Sequence, residues 1–496
     1  MLFSLTQDHM EEIVLYAAEQ SFPGPPSSLY SLMLTCRAFY SSLNPSTNPR
    51  LYVRLFNQMF DGLALARRLP PSSSLPEYLA TELKRRCLAM KCFRRHDARD
   101  SGLSTAFLVA YLMLLEDDGK NSEQLRWSGL PEFVIDYLYQ HLHEDIEEHG
   151  WPSDSEANSL AVALLWQLTD QNMISCEDEE RRRHIMTLLM PYALVGFRYP
   201  LLAARPSNSS LVAGSNRGCK AMDIAYFGQQ NRIRLPSVTL HAILSCLVRL
   251  EKRPFQIPDH LPRTRVEADL RGIRGVTRED IEEYNTQCRT SLIPPPSSEK
   301  SKAHDADWAR AISASAITGE EEAPPRPYKL GSLTGKWQGT YLARAILHIA
   351  RKSHSLMHFF AATTPRNQFI VTKWTFSNFS HEEPRIDVQS SYGPDTTSTG
   401  INSTTPFDVI LTGSCEARHA AAWGAYKFFG RVRTSDGLII LHRQPSADEP
   451  DCNRNAALFV GYVLSSQNLV GRMQNLNASQ ETDNEQWQGI WCLSKK

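Results

Sequence analysis

The sequence predicts a multidomain α+β protein: a small three-helix module, an all-α middle domain, and a C-terminal antiparallel β-barrel. Three observations carry this expectation. Apolar residues recur at helical spacing through the first 289 residues. Residues 290–330 are charged and proline-rich, the composition of a linker. Beyond them the pattern turns to period two, with hairpin signals between the runs. At ~150 residues per domain, 496 residues also ask for about three cores.

The elements follow in order. Met10, Ile13, Val14 and Ala17 share one face of a helix expected over residues 7–19, which the Pro23-Gly24-Pro25-Pro26 turn ends. Leu29, Leu32, Cys36, Phe39, Tyr40 and Leu43 keep one apolar stripe through two short helices, and Asn44-Pro45 stops it. Asn48 as cap and Pro49 at the first helical position open another helix, with Leu51, Leu55, Phe56 and Met59 on one face. The module is therefore bounded at residues 1–60. Residues 61–289 read as all-α, with apolar stretches at 104–116, 157–169, 182–195 and 239–250. No fixed-period repeat runs through them, which favours an irregular bundle over a solenoid.

Residues 331–496 carry strand patterns at 368–376, 407–413, 427–432, 438–442 and 457–464, and Asp436-Gly437 marks a hairpin. The first strand holds Trp337-Gln338-Gly339-Thr340-Tyr341, and the last holds Trp487-Gln488-Gly489-Ile490-Trp491. Two edge strands built alike are expected to pair and close the barrel, removing exposed edges.

Composition narrows the function classes. With 53 Lys+Arg against 54 Asp+Glu, nothing suggests a nucleic-acid coat, and no nucleic-acid partner is expected. The longest apolar run, 106–115, is about half of the ~20 residues a membrane span needs, so no membrane partner is expected either. The first residues reach Asp8, Glu11 and Glu12 without a basic and then apolar leader, and the ten cysteines are scattered without CxxC pairs. Both point to an intracellular protein, cytoplasmic or nuclear, with free thiols.

Catalytic and metal motifs fail on spacing. Gly331 to Lys336 has three residues between its glycines instead of the four of a phosphate loop, and it leads into a strand. His141, His143 and His149 lack the i, i+4 spacing of a helical zinc site. Ser414 and Cys415 lack the second glycine of a nucleophile elbow and read as strand-end residues. The basic residues Lys84, Arg85, Arg86, Lys91, Arg94 and Arg95 are interleaved with Leu88, Met90 and Phe93, as on a half-buried helix. No catalytic residue, metal or cofactor is expected. The densest aromatic cluster of the barrel, Trp423, Tyr426, Phe428 and Phe429, is expected mainly to pack; Trp423, Tyr426 and Phe428 are the candidates for contact with a substrate.

The N-terminal residues resemble an F-box. The resemblance lies in Leu5, in the helix face Met10, Ile13, Val14, in Leu32 to Tyr40 with Thr35-Cys36-Arg37 and Phe39, and in Asn48-Pro49-Arg50-Leu51-Tyr52. Thr6 stands where such motifs usually have proline, and the first connection is lengthened by residues 22–28. Gly335-Lys336-Trp337 is similar to the Gly-x-Trp of lipocalin-like barrels, in which a basic residue of a late strand stacks on the tryptophan; Arg472 is the candidate for that role. The order of F-box, helical region and barrel resembles that of fungal F-box proteins.

This resemblance implies a non-catalytic substrate receptor of a Skp–cullin–F-box ubiquitin ligase. Leu5, Met10, Ile13, Val14, Leu32, Leu34, Cys36, Arg37, Phe39 and Tyr40 would then meet the Skp-type adaptor and so the cullin core, and the barrel would take an unidentified protein substrate. A small-molecule-binding or scaffolding protein built on the same barrel is the alternative.

Overall fold

The computed structural model describes residues 6–201 except 197, residues 220–287 except 252, 253, 255 and 274, residues 299–312 and 328, residues 331–343, 408–445, 456–476 and 489–495, and the backbone of 370–380. It divides into two compact units. One is helical and contains Met1–Arg249 together with the helices of residues 300–312; the other contains residues 250–287 and the C-terminal strands.

In the helical unit, α1 (Gln7–Gln20), α2 (Ser27–Thr35), α3 (Arg37–Leu43) and α4 (Pro49–Met59) form the N-terminal module. Thr6 caps α1 and Asn48 caps α4, its side chain accepting from Leu51 N at 3.2 Å, as the Asn-Pro pair predicts. The strongly amphipathic α4 buries Leu51, Tyr52, Leu55, Phe56 and Met59. There follow α5 (Leu63–Arg68), α6 (Pro76–Arg95), α7 (Leu103–Leu115), α8 (Lys120–Trp127), α9 (Leu130–His149), α10 (Glu156–Leu168), α11 (Gln171–Cys176), α12 (Glu179–Leu194) and α13 (Val238–Glu251). α7 and α10 are apolar all round and form the centre, and α6 and α9 pack beside them.

Three expectations need correction. The middle region is not all-α: β1 (Ala221–Tyr226) and β2 (Gln229–Arg234) pair as an antiparallel hairpin. Its turn places Phe227 and Gly228 at φ +48° and +79°, a geometry usually signalled by Asn-Gly, and the Phe-Gly pair gave no such signal. The linker reading of 290–330 fails at residues 300–312, where α16 (Lys300–Ala303) and α17 (Asp305–Ile312) fold onto the helical unit; α14 (Arg265–Leu270) and α15 (Arg278–Gln287) precede them in the other unit. Asp305 holds α17 there, accepting two hydrogen bonds from Arg67 at 2.9 and 3.0 Å and one from Arg68 at 2.7 Å. Finally, the boundary at residue 60 is no break in packing. Gln124 on α8 accepts from Gly24 N at 2.7 Å, and Asp61 accepts from Asn121 N at 2.9 Å.

The C-terminal strands are β3 (Trp337–Ala343), β4 (Ile370–Ser380), β5 (Asp408–Cys415), β6 (Tyr426–Arg433), β7 (Leu438–Pro445), β8 (Ala457–Leu464), β9 (Asn468–Asn475) and β10 (Gly489–Lys495). Each pairs antiparallel with the next, and β10 also pairs with β3, so the sheet curls into a closed barrel. Tyr341 lies opposite Trp491 and Gly339 opposite Leu493, which bears out the pairing expected of the two similar strands; Trp487 lies outside the described residues. The Gly331–Lys336 segment leads directly into β3, and Ser414 and Cys415 end β5. Close approach fixes the glycines: a Cβ on Gly461 would stand 2.1 Å from the Val470 carbonyl oxygen, and one on Gly471 would stand 2.0 Å from that of Val460.

Candidate functional site

Two places in the molecule hold the candidate residues, one in each unit. The first is the outward side of α1–α3. Along α1, Val14, Leu15 and Ala18 point into the module and are buried, while Ile13 and Tyr16, three residues apart, share the opposite side. α2 buries Leu29 and turns Tyr30 and Leu34, four residues apart, to solvent. Tyr40 on α3 is exposed as well. These five side chains are 48–67% exposed, although each is of a type that favours burial. α1 packs against α2 and α2 against α3, so the outward faces belong to adjoining helices.

The expected adaptor residues therefore divide. Ile13, Leu34, Cys36, Arg37 and Tyr40 are exposed, and Met10, Leu32 and Phe39 are half-buried. Val14 is 1% exposed and belongs to the module's core, a correction that periodicity could not supply because it does not say which neighbour covers a stripe. Leu5 lies outside the described residues. Tyr16 and Tyr30 were missed; each sits off its helix's apolar stripe, and only their exposure marks them.

The module is held firmly from behind. Asn48 Nδ2 donates to Glu11 Oε1 at 2.8 Å, Gln58 Nε2 to the Leu15 carbonyl at 3.1 Å, and the Tyr52 hydroxyl to the Leu43 carbonyl at 3.0 Å. Burial pushes the Tyr52 hydroxyl up to about 12, so this donor keeps its proton at neutral pH. Arg86 of α6, 1% exposed, lies 4.9 Å from the Phe56 ring, 5.0 Å from Phe60 and 5.8 Å from Phe227, and it is ion-paired with the fully buried Glu116. The Tyr226 hydroxyl donates to the same carboxylate, and Phe227 N donates to Glu82 at 3.1 Å. The hairpin tip thus plugs the junction of α4, α6 and α7.

The second place is the interior of the barrel. Tyr341, Phe428, Leu441, Phe459, Trp491 and Leu493 line a cavity of about 10 Å³, room for about one water molecule. Phe459 meets Trp491 edge-on, with centroids 5.5 Å apart, and Phe428 at 6.4 Å. Arg443 stands opposite Phe428 in the β6–β7 ladder, and its guanidinium carbon lies 4.6 Å from the Tyr426 ring, 5.8 Å from Phe459 and 5.9 Å from Tyr341 on the far side of the barrel. The residue is 6% exposed, and burial lowers its pKa against the opposing effect of Tyr341 and Tyr426.

Of the expected substrate residues, then, Phe428 lines the cavity and Tyr426 flanks Arg443, while the Trp423 side chain lies outside the described residues. Phe429 points outward, 44% exposed and stacked on His442. Arg443 was not singled out, because a single arginine in a strand gives no sign of facing inward. Arg472 needs correction. The register sets it opposite Ile490, and Ile490 opposite Leu342, which puts it on the face of the sheet away from Trp337 and Tyr341. It is fully buried there, with its pKa pushed down to about 9 by burial.

No helix among the described residues is long and apolar enough to cross a membrane. Compared with models of protein families, with curated proteins and with solved structures, the chain matches none.

Proposed function

We propose that this chain is a non-catalytic substrate-recognition subunit of a Skp–cullin–F-box ubiquitin ligase, with α1–α3 docking the adaptor and the lipocalin-like barrel capturing the substrate. The observation that carries the reading is the set Ile13, Tyr16, Tyr30, Leu34 and Tyr40, large side chains left in solvent on three adjoining short helices where the sequence resembles an F-box. Three short helices cannot enclose all their apolar residues, and a partner helix laid across them would complete the burial. Such a receptor acts by raising the effective concentration of substrate at the ligase and needs no acid or base of its own. A small-molecule site inside the barrel is less favoured, since the described lining encloses about 10 Å³.

Capture of a purified Skp-type adaptor by the full chain tests the reading. Capture is expected, together with its loss in the double variant Ile13→Asp, Leu34→Asp. Equal behaviour of the two proteins would sink the proposal.

A further inference from the structure

We propose that α16–α17 is a releasable strap: residues 299–312 lift off the helical unit as one piece while the rest of that unit stays folded, and the seat beneath accepts a separate segment of the same pattern. The strap packs against α5, α7 and β2. Ser301, Asp305 and Trp308, spaced four and three residues apart, make its polar contacts with the seat. Ser301 donates from its backbone N–H and its hydroxyl to the two carboxylate oxygens of Asp118, at 3.0 and 2.9 Å, and its hydroxyl accepts from Arg67 at 3.0 Å. Asp305 accepts the three hydrogen bonds from Arg67 and Arg68. The Arg68 guanidinium carbon lies 5.6 Å from the Trp308 ring, whose Nε1 donates to the Tyr226 hydroxyl at 3.4 Å.

The composition of these contacts makes the hold weak and reversible. Helices of four and eight residues are too short to persist in water by themselves, so the strap is ordered only while it is seated. Its buried apolar side chains are Ala306 and Ala311, which give little hydrophobic anchorage. The ionic part is open to water, with the Asp305 side chain 41% and that of Arg67 29% exposed, so salt screens it. Arg68 Nη1 is buried without a hydrogen-bond partner among the described residues, so the strap does not fully satisfy its seat. The stretches of sequence at 290–298 and 319–327 have linker composition. Tethering at both ends keeps the effective concentration of the strap at its seat high, which lets so weak a hold suffice.

The test uses the full chain. Hydrogen exchange is expected to run about tenfold or more faster in residues 299–312 than in α10, and several-fold faster again in about 1 M NaCl with α10 unchanged. A fluorescent peptide of residues 299–312 is the probe of the seat. The double variant Asp305→Asn, Trp308→Ala, its own strap disabled, should bind this peptide about tenfold more tightly than the wild-type chain, whose seat is filled. The same peptide carrying Asp305→Asn should bind the double variant about tenfold more weakly, having lost the carboxylate that meets two arginines. Exchange in residues 299–312 as slow as in α10, or no peptide binding by a double variant whose α10 keeps wild-type protection, overturns the strap. Equal binding of the two peptides overturns the recognition pattern. Should the double variant lose protection in α10, Asp305→Asn alone carries the test: strap exchange several-fold faster with α10 unchanged supports release, and exchange unchanged from wild type overturns it.

Discussion

The two units bury an arginine in opposite ways. Arg86 in the helical unit is met by the carboxylate of Glu116, with Glu82 close by and three phenylalanine rings around it, so its charge is answered from within the chain. Arg443 in the barrel is surrounded by the rings of Tyr426, Phe459 and Tyr341, with its guanidinium carbon 4.6–5.9 Å from them. The first arrangement is a fastening that joins α4, α6, α7 and the β1–β2 hairpin. The second places a buried guanidinium among aromatic rings on the barrel's inner face. A buried arginine therefore says little by itself; its neighbours decide whether a carboxylate or aromatic rings surround its charge.

The largest effect that would sharpen this contrast is expected at Glu116. Glu116→Ala leaves Arg86 buried without its carboxylate and should cost about 3–5 kcal/mol, read as faster hydrogen exchange in α4, α6 and α7. A loss below about 1 kcal/mol would break the comparison. Next in size is a pH effect confined to the helical unit. Burial pushes His241 down to about 4 from 6.5, so the folded chain keeps it neutral while the unfolded chain protonates. Stability from this group is complete above pH 6.5 and is lost as pH falls toward 4, by about 3 kcal/mol in all. Urea midpoints at pH 7, 6, 5 and 4 check this, with His241→Gln expected to flatten the profile.

In the barrel, Gly461→Ala should cost about 1–3 kcal/mol, because its methyl group would meet backbone and not a yielding side chain. Exchange in β8 and β9 is the readout. The smallest effect on stability is expected of Ile13→Asp with Leu34→Asp, within about 0.5 kcal/mol because both side chains are already in water. The same pair should lower adaptor affinity more than ~30-fold, the loss expected when two interface anchors are removed.

Sequence alone went further with the fold than with the site. The Asn48 cap, the α1 stripe and the match between β3 and β10 could be read because local chemistry and tertiary role agree there. β9 was missed because Leu469 to Met473 is buried on both faces, so it shows no alternation, and Gly471 and Arg472 disguise the rest. Arg472 was assigned to the wrong face because the side it takes depends on a register fixed by two neighbouring strands. At the N-terminus, the spacing that marks Ile13 and Val14 as one stripe is the same whether the stripe is covered by α4 or by a partner. Arg443 becomes meaningful only once Tyr341, about a hundred residues earlier in the chain, stands across the barrel from it.

The hairpin tip has a consequence for synthesis. Phe56, Phe60 and Arg86 leave the ribosome about 140–170 residues before Tyr226 and Phe227, which at ~5–20 residues per second is roughly 7–35 s. Through that interval the back of the N-terminal module presents aromatic rings and an arginine awaiting its full set of neighbours. A nascent chain of this protein is therefore expected to need chaperone shelter over α4 and α6 until the hairpin arrives.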